Sequence, residues 1–188
     1  MSKKIAIAVI SSLLLSQSSG FCVDANRIRA LDEQRNEVLK QITAQLVAGK
    51  IGPTDAQQLK TGLDTVMQME TNAQEDQNVS DAEYANIKTA LEKVQSQVEA
   101  AIHPKKVWMG IDSHDTSMQK KINDALAARK INKDQAFTLI EEEEKLRARE
   151  TNGNFSSEFE FTDAMSIAND LLSLKSKIDQ LASAGHTQ

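Results

Sequence analysis

The chain has 188 residues, 40% of them hydrophobic and 26% charged, with 22 Lys and Arg against 27 Asp and Glu and a formal charge of −5. Seven glycines, two prolines and an aromatic share of 4% argue against an all-β fold, which needs many turns and favours aromatic and β-branched residues. The acidic, evenly mixed charge argues against nucleic acid and anionic membrane surfaces as partners.

The first twenty residues have the layout of a secretory signal peptide. Lys3 and Lys4 form a basic start, residues 5–15 an apolar run, and residues 17–20 a stretch of small side chains. Cleavage is expected after Gly20 or, using Val23 and Ala25, after Ala25. The alternative is an uncleaved anchor, but the run falls short of the roughly 18 apolar residues a spanning helix needs. Loss of Lys3 and Lys4 leaves 20 basic side chains against 27 acidic, net −7. No second apolar segment follows, so no transmembrane segment is expected in the mature chain. Cys22 is the only cysteine, so an internal disulfide is excluded and stability must come from helix packing.

Helical periodicity organises the remainder as six helices in two units of three, an all-α fold. The first unit covers residues 26–102. Its helices are read at 26–49 (Ile28, Leu31, Val38, Ile42, Leu46), 53–70 (Ala56, Leu59, Leu63, Val66) and 81–102 (Tyr84, Ile87, Leu91, Val94, Val98). A linker at 103–117 carries Pro104 and Gly110, both helix breakers. The second unit, 118–185, follows with helices at about 117–129 (Met118, Ile122, Leu126), 133–150 (Ala136, Leu139, Leu146) and 163–184 (Ile167, Leu171, Leu174, Ile178, Leu181). A shift of 80 residues superposes the units. Ten of the 31 positions from 42 to 72 are then identical, including Lys50-Ile51 on Lys130-Ile131 and Glu70-Thr71-Asn72 on Glu150-Thr151-Asn152. An internal duplication is therefore expected; shared helical patterning is the alternative.

The junctions repeat as well. An apolar residue, then a good N-cap, then an acid or amide three further on occurs at Ile51-Gly52, Val79-Ser80 and Ile131-Asn132; Phe161-Thr162 departs, with Met165 in the place of the acid. Pro53 suits a first helical position, and Ser80 with Glu83 spells a capping box.

This succession of helix, Gly-Lys-Ile turn, cap and acidic-Ala pair resembles the helical repeats of uncharacterised bacterial exported proteins, in which the turns often resemble degenerate EF-hand loops. The resemblance covers most of residues 42–102 and, less well, 122–181. It implies a helical fold and leaves the function open.

Calcium loops need oxygen ligands at fixed positions, Gly at position 6 and an apolar residue at position 8. With Val79 at position 8, the candidate ligands are Asn72, Gln74, Asp76, Ser80 and Glu83. Glu83 stands at the closing position, but Asn72 replaces the leading Asp and Gln77 the turn glycine. A capped turn without metal is the simpler expectation. His103, His114 and His186 match no standard zinc spacing, even with Asp112 and Asp115 beside His114. No nucleophile elbow or phosphate loop occurs. Glu141 to Glu144 read as a solvated helix face paired to Lys145 and Arg147 at i,i+4, with an acidic docking surface as the alternative. Trp108, flanked by Val107, Met109 and Ile111, is expected to pin the linker to the bundle. The reading that follows is a non-enzymatic exported interaction or structural protein with a protein partner and no cofactor. The rival reading is a calcium-responsive EF-hand-like binding module.

Overall fold

Leu31, Val38, Ile42 and Leu46 recur at helical spacing, and all four are buried. The same spacing places the core residues of every other helix on one stripe, and burial of those stripes against one another drives the fold. A computed structural model of the chain describes residues 18–75, 79–105, 107–111, 114–153 and 161–184. It shows α1 (Ser18–Val47), α2 (Pro53–Ala73), α3 (Asp81–Ala101), α4 (His114–Ala127), α5 (Lys133–Gly153) and α6 (Phe161–Ala184). The protein is all-α, with six helices and no strand among the described residues. None of these helices is long and apolar enough to cross a membrane.

Helices α1, α2 and α3 pack on one another, and so do α4, α5 and α6. Helix α6 also packs against α1 and α2, and the buried apolar side chains of all six helices form one continuous cluster. Most of the residues read from the sequence as core are buried in it, including Ile87, Leu91, Ile122, Leu139, Leu171 and Ile178.

Boundaries differ from expectation by a turn or less at most ends. Helix α2 runs on to Ala73 and α5 to Gly153, one turn past the sequence estimate. Helix α4 begins at His114 rather than 117, and α6 at Phe161, so Thr162 lies inside the helix instead of capping it. Met165 has no carboxylate or amide with which to complete a capping box at Thr162. Helix α1 is continuous across both candidate cleavage points, 20 and 25. Most of the segment read as a signal peptide, residues 1–17, lies outside the described residues.

The α1–α2 and α4–α5 turns share one geometry. Gly49 N–H donates to Leu46 O and Lys50 N–H to Gln45 O; Arg129 N–H donates to Leu126 O and Lys130 N–H to Ala125 O. This is the Schellman closure, which needs a left-handed residue after the helix. Gly49 supplies it at φ 73° and Arg129 at φ 55°. The next helices then open alike, Ala56 N–H donating to Gly52 O and Ala136 N–H to Asn132 O.

What separates the two turns is the segment lying over the first. His103 N–H donates to Lys50 O at 3.1 Å, Val107 N–H to Gly49 O at 2.8 Å and Ile111 N–H to Val47 O at 2.9 Å. Trp108 Nε1 donates to Ile51 O at 2.9 Å. The linker therefore satisfies carbonyls that a helix end leaves open. It passes so close that a Cβ on Gly49 would meet Trp108 O at 2.8 Å and Gly110 N at 2.9 Å.

Substitution should therefore act in opposite directions at the two turns. Gly49→Ala adds a left-handed strain of about 1–2 kcal/mol to a backbone collision that no side-chain rotation relieves. It is expected to lower the unfolding midpoint in denaturant and to shift the emission of Trp108, the only tryptophan. Arg129→Gly relieves the strain alone and is expected to stabilise by up to about 1 kcal/mol. An unchanged Trp108 spectrum in Gly49→Ala would show that the segment does not sit on this turn.

Candidate functional site

The 72–83 connection, the candidate calcium loop, is built by the end of α2 and the start of α3. Asn72 lies in the last turn of α2, where its Oδ1 accepts from Gln68 Nε2 at 2.8 Å. Gln74 caps that helix in a right-handed conformation, its N–H donating to Thr71 O at 3.1 Å. Asp76 and Gln77 lie outside the described residues. Ser80 and Glu83 form a reciprocal cap. Glu83 N–H donates to Ser80 Oγ at 3.2 Å, while Glu83 Oε2 accepts from Ser80 N–H at 2.9 Å and from Ser80 Oγ at 2.7 Å. These bonds hold the Glu83 carboxyl below the ordinary carboxylate range, the Ser80 hydroxyl contributing most. One of the two oxygens a closing ligand would present is thus already engaged. Asn132 and Gln135 make the same reciprocal pair at the start of α5, at 2.8 and 2.9 Å.

His103 and His114 stand in different surroundings. His103 is exposed and touches the fold through its backbone. His114 is buried at the start of α4, its Nδ1 2.7 Å from Ile111 O and 3.5 Å from Glu150 Oε2. Asp112, the Asp115 side chain and His186 lie outside the described residues. Among the described residues no group of three or more His, Cys, Asp and Glu side chains is placed to hold a metal ion.

Residues 141–144 do not form one solvated face. Glu141 and Glu144 are exposed, and Glu142 pairs with Lys177 across the α5–α6 boundary. Glu143 is 0% exposed, with Oε2 3.4 Å from Gln119 Nε2 of α4. The correction follows from register. Leu139, Glu143 and Leu146 are spaced 4 and 3 apart, on the stripe that faces the core. Further along, Arg149 bonds Asp170 and Ser166 of α6, and Lys121 of α4 meets Asp179 of α6 at 2.9 Å. Lys121 and Lys175 together hold the Asp179 carboxyl below its ordinary range.

The sequence reading missed a second buried acid, Glu70, which is 4% exposed in the last turn of α2. Its signal was there to find, because Leu59, Leu63, Val66, Glu70 and Ala73 continue one core stripe. Oε2 of Glu70 accepts from Arg35 Nη1 at 2.7 Å, and Arg35 Nη2 is bonded to Asp32. Burial raises the Glu70 carboxyl above its ordinary range against the pull of Arg35. Glu150, its counterpart 80 residues on, faces His114 of α4 much as Glu70 faces Arg35 of α1.

With six helices and these sites in view, comparison adds no relative: no protein-family model, curated protein or solved structure matches the chain.

Loss of the cap at α3 should be measurable. Ser80→Ala is expected to cost about 1 kcal/mol of unfolding free energy at neutral pH. Because the folded-state pKa of Glu83 is lowered, its contribution is present above the ordinary carboxylate range and lost as pH falls through the lowered folded value. The gap between wild type and Ser80→Ala in denaturant titrations should therefore narrow in acid below about pH 4. A gap that stays constant to pH 3 would mean that the Glu83 carboxylate takes no part in the cap.

Proposed function

We propose that the protein is a non-enzymatic exported helical interaction or structural protein, built by internal duplication, with another protein as its partner and no cofactor. The observation that carries this reading is where the reactive-looking groups are used. Ser80 and Glu83 close a helix cap. His114 lies buried against the carbonyl of Ile111, and Trp108 bonds the carbonyl of Ile51. The polar groups that a chemical reading would need are thus engaged in holding helices and turns together.

Export is supported by the basic start, apolar run and small residues before position 21. Duplication is supported by the matched turns at Gly49 and Arg129 and by the placement of Glu70 and Glu150. The exposed apolar side chains supply points of contact for a partner: Phe137 at 64%, Met67 at 47% and Leu172 at 37%. Of these, Phe137, in the first turns of α5, is the largest and most open, and large aromatics are favoured at protein interfaces.

Phe137→Ser should leave the unfolding free energy within about 0.5 kcal/mol of wild type, as for an exposed site. It should also reduce what co-purifies with the mature protein from its native compartment. Full retention of every co-purifying protein would remove Phe137 from the contact surface.

The rival calcium module is separated by titration. Binding to the folded state alone stabilises by RT ln(1 + [L]/Kd), about 2.7 kcal/mol at a hundredfold excess over Kd. Weak extracellular sites have Kd of roughly 10⁻⁴–10⁻³ M, so the titration must reach several millimolar, with magnesium as the control for screening. The expected outcome is no calcium-specific change in melting temperature. A calcium-specific rise that disappears in Glu83→Gln would replace the proposed reading with the calcium module.

A further inference from the structure

We propose that Glu70 is a proton-operated latch between α1 and the C-terminal end of α2, closed when its carboxyl is neutral. The Glu70 side chain is 6% exposed, and only one of its two oxygens has a donor, the Arg35 guanidinium at 2.7 Å. The other, Oε1, is buried and meets no donor among the described residues. Arg35 is not given over to Glu70, since its second nitrogen holds Asp32 of the same helix. One cation thus serves two carboxylates, and the more deeply buried of the two is left half solvated by the protein.

Position adds to this. Glu70 stands in the last turn of α2, where the helix dipole presents its negative end and disfavours an anion. Helix α2 packs against α1, α3 and α6. The charged groups that act on Glu70 among the described residues are Arg35, which favours the anion, and Asp32, which opposes it, both on α1. Neither α3 nor α6 contributes another. Desolvation and Asp32 together outweigh Arg35, so the carboxyl holds its proton to higher pH than a solvated glutamate does. A proton taken from solvent onto Oε1 removes the buried charge, leaves Oε2 accepting from Arg35 and leaves Arg35 paired with Asp32.

The direction of the pH response follows. The folded state holds the Glu70 proton more tightly than the unfolded chain. Its contribution to stability is therefore full below the ordinary glutamate value and is lost as pH rises through the raised folded value. Glu83 and Asp179, whose carboxyls are lowered, respond in a separate window, beneath the ordinary range. Acidification from neutral pH thus tightens the α1–α2 joint before it weakens the α3 cap and the α4–α6 pair.

The test is an NMR titration of the Glu70 side-chain carboxyl carbon in the full chain, wild type and Asp32→Asn. It is joined by hydrogen exchange of the last α2 turn at several pH values, in wild type and Glu70→Gln. The expected midpoint lies above about 4.3, the unperturbed glutamate value, and moves down in Asp32→Asn as Arg35 is released to Glu70. After correction for intrinsic exchange, protection of the last α2 turn should rise on acidification in wild type and stay flat in Glu70→Gln. A Glu70 midpoint at or below the unperturbed value overturns the proposal, as does a midpoint unmoved by Asp32→Asn. Should Glu70→Gln fail to fold, the carboxyl titration of the wild type and Asp32→Asn decides alone.

Discussion

Four hydrogen bonds fasten residues 103–111 to the carbonyls of Val47, Gly49, Lys50 and Ile51, and the arrangement of the six helices depends on them. Each of these bonds joins positions more than fifty residues apart, so the segment closes α1, α2 and α3 into a ring before α4 begins. Ile111, the last residue of the fastening, is itself buried and has His114 packed on its carbonyl. The direction in which α4 departs is therefore set by the turn after α1. That in turn places α6, which reaches back over α1 and α2 and joins the two sets of helices in one core. Loosening the Gly49 turn would be felt by the second set of helices as well as the first.

Much of this was legible in the sequence because periodicity and caps are local signals. The alternation of 3 and 4 in Ile87, Leu91, Val94 and Val98 fixes both the helix and its buried face. The start of α3 was legible because Ser80 and Glu83 are matched in type and spacing to the amides they satisfy. Trp108 was expected to pin the linker, and it does. What stayed hidden depends on the partner of each face. Nothing local says that α6 would touch four other helices, since a stripe of Ile167, Leu171, Leu174 and Ile178 records only that it is covered. The α4 start was missed because His114 is polar, and its burial follows from a tertiary neighbour, Glu150.

The candidate site was less legible than the fold. Charge type dominated the reading of Glu141 to Glu144, so Glu143 was assigned to solvent although its register with Leu139 and Leu146 assigns it to the core. The same preference passed over Glu70. Ionisable side chains on a core stripe are costly to bury, and in each of these cases the structure supplies a polar partner on the neighbouring helix: Arg35 for Glu70 and Gln119 for Glu143. Register carries more information than polarity in such helices, and the exceptions to the apolar stripe mark where α1 meets α2 and α4 meets α5.

The difference between Gly49 and Arg129 bears on fidelity of assembly. Among the described residues two turns share one backbone shape, and the segment 103–111 lies on the first of them. At Gly49 there is no Cβ, and the backbone of Trp108 and Gly110 comes to within 3 Å of where one would stand. At Arg129 a Cβ occupies that space, so the same approach is blocked, both within one molecule and between two. A left-handed arginine is a strained choice for the end of α4, but it leaves the segment with a single berth. Miswrapping of the segment onto the turn before α5 is closed off by one carbon atom.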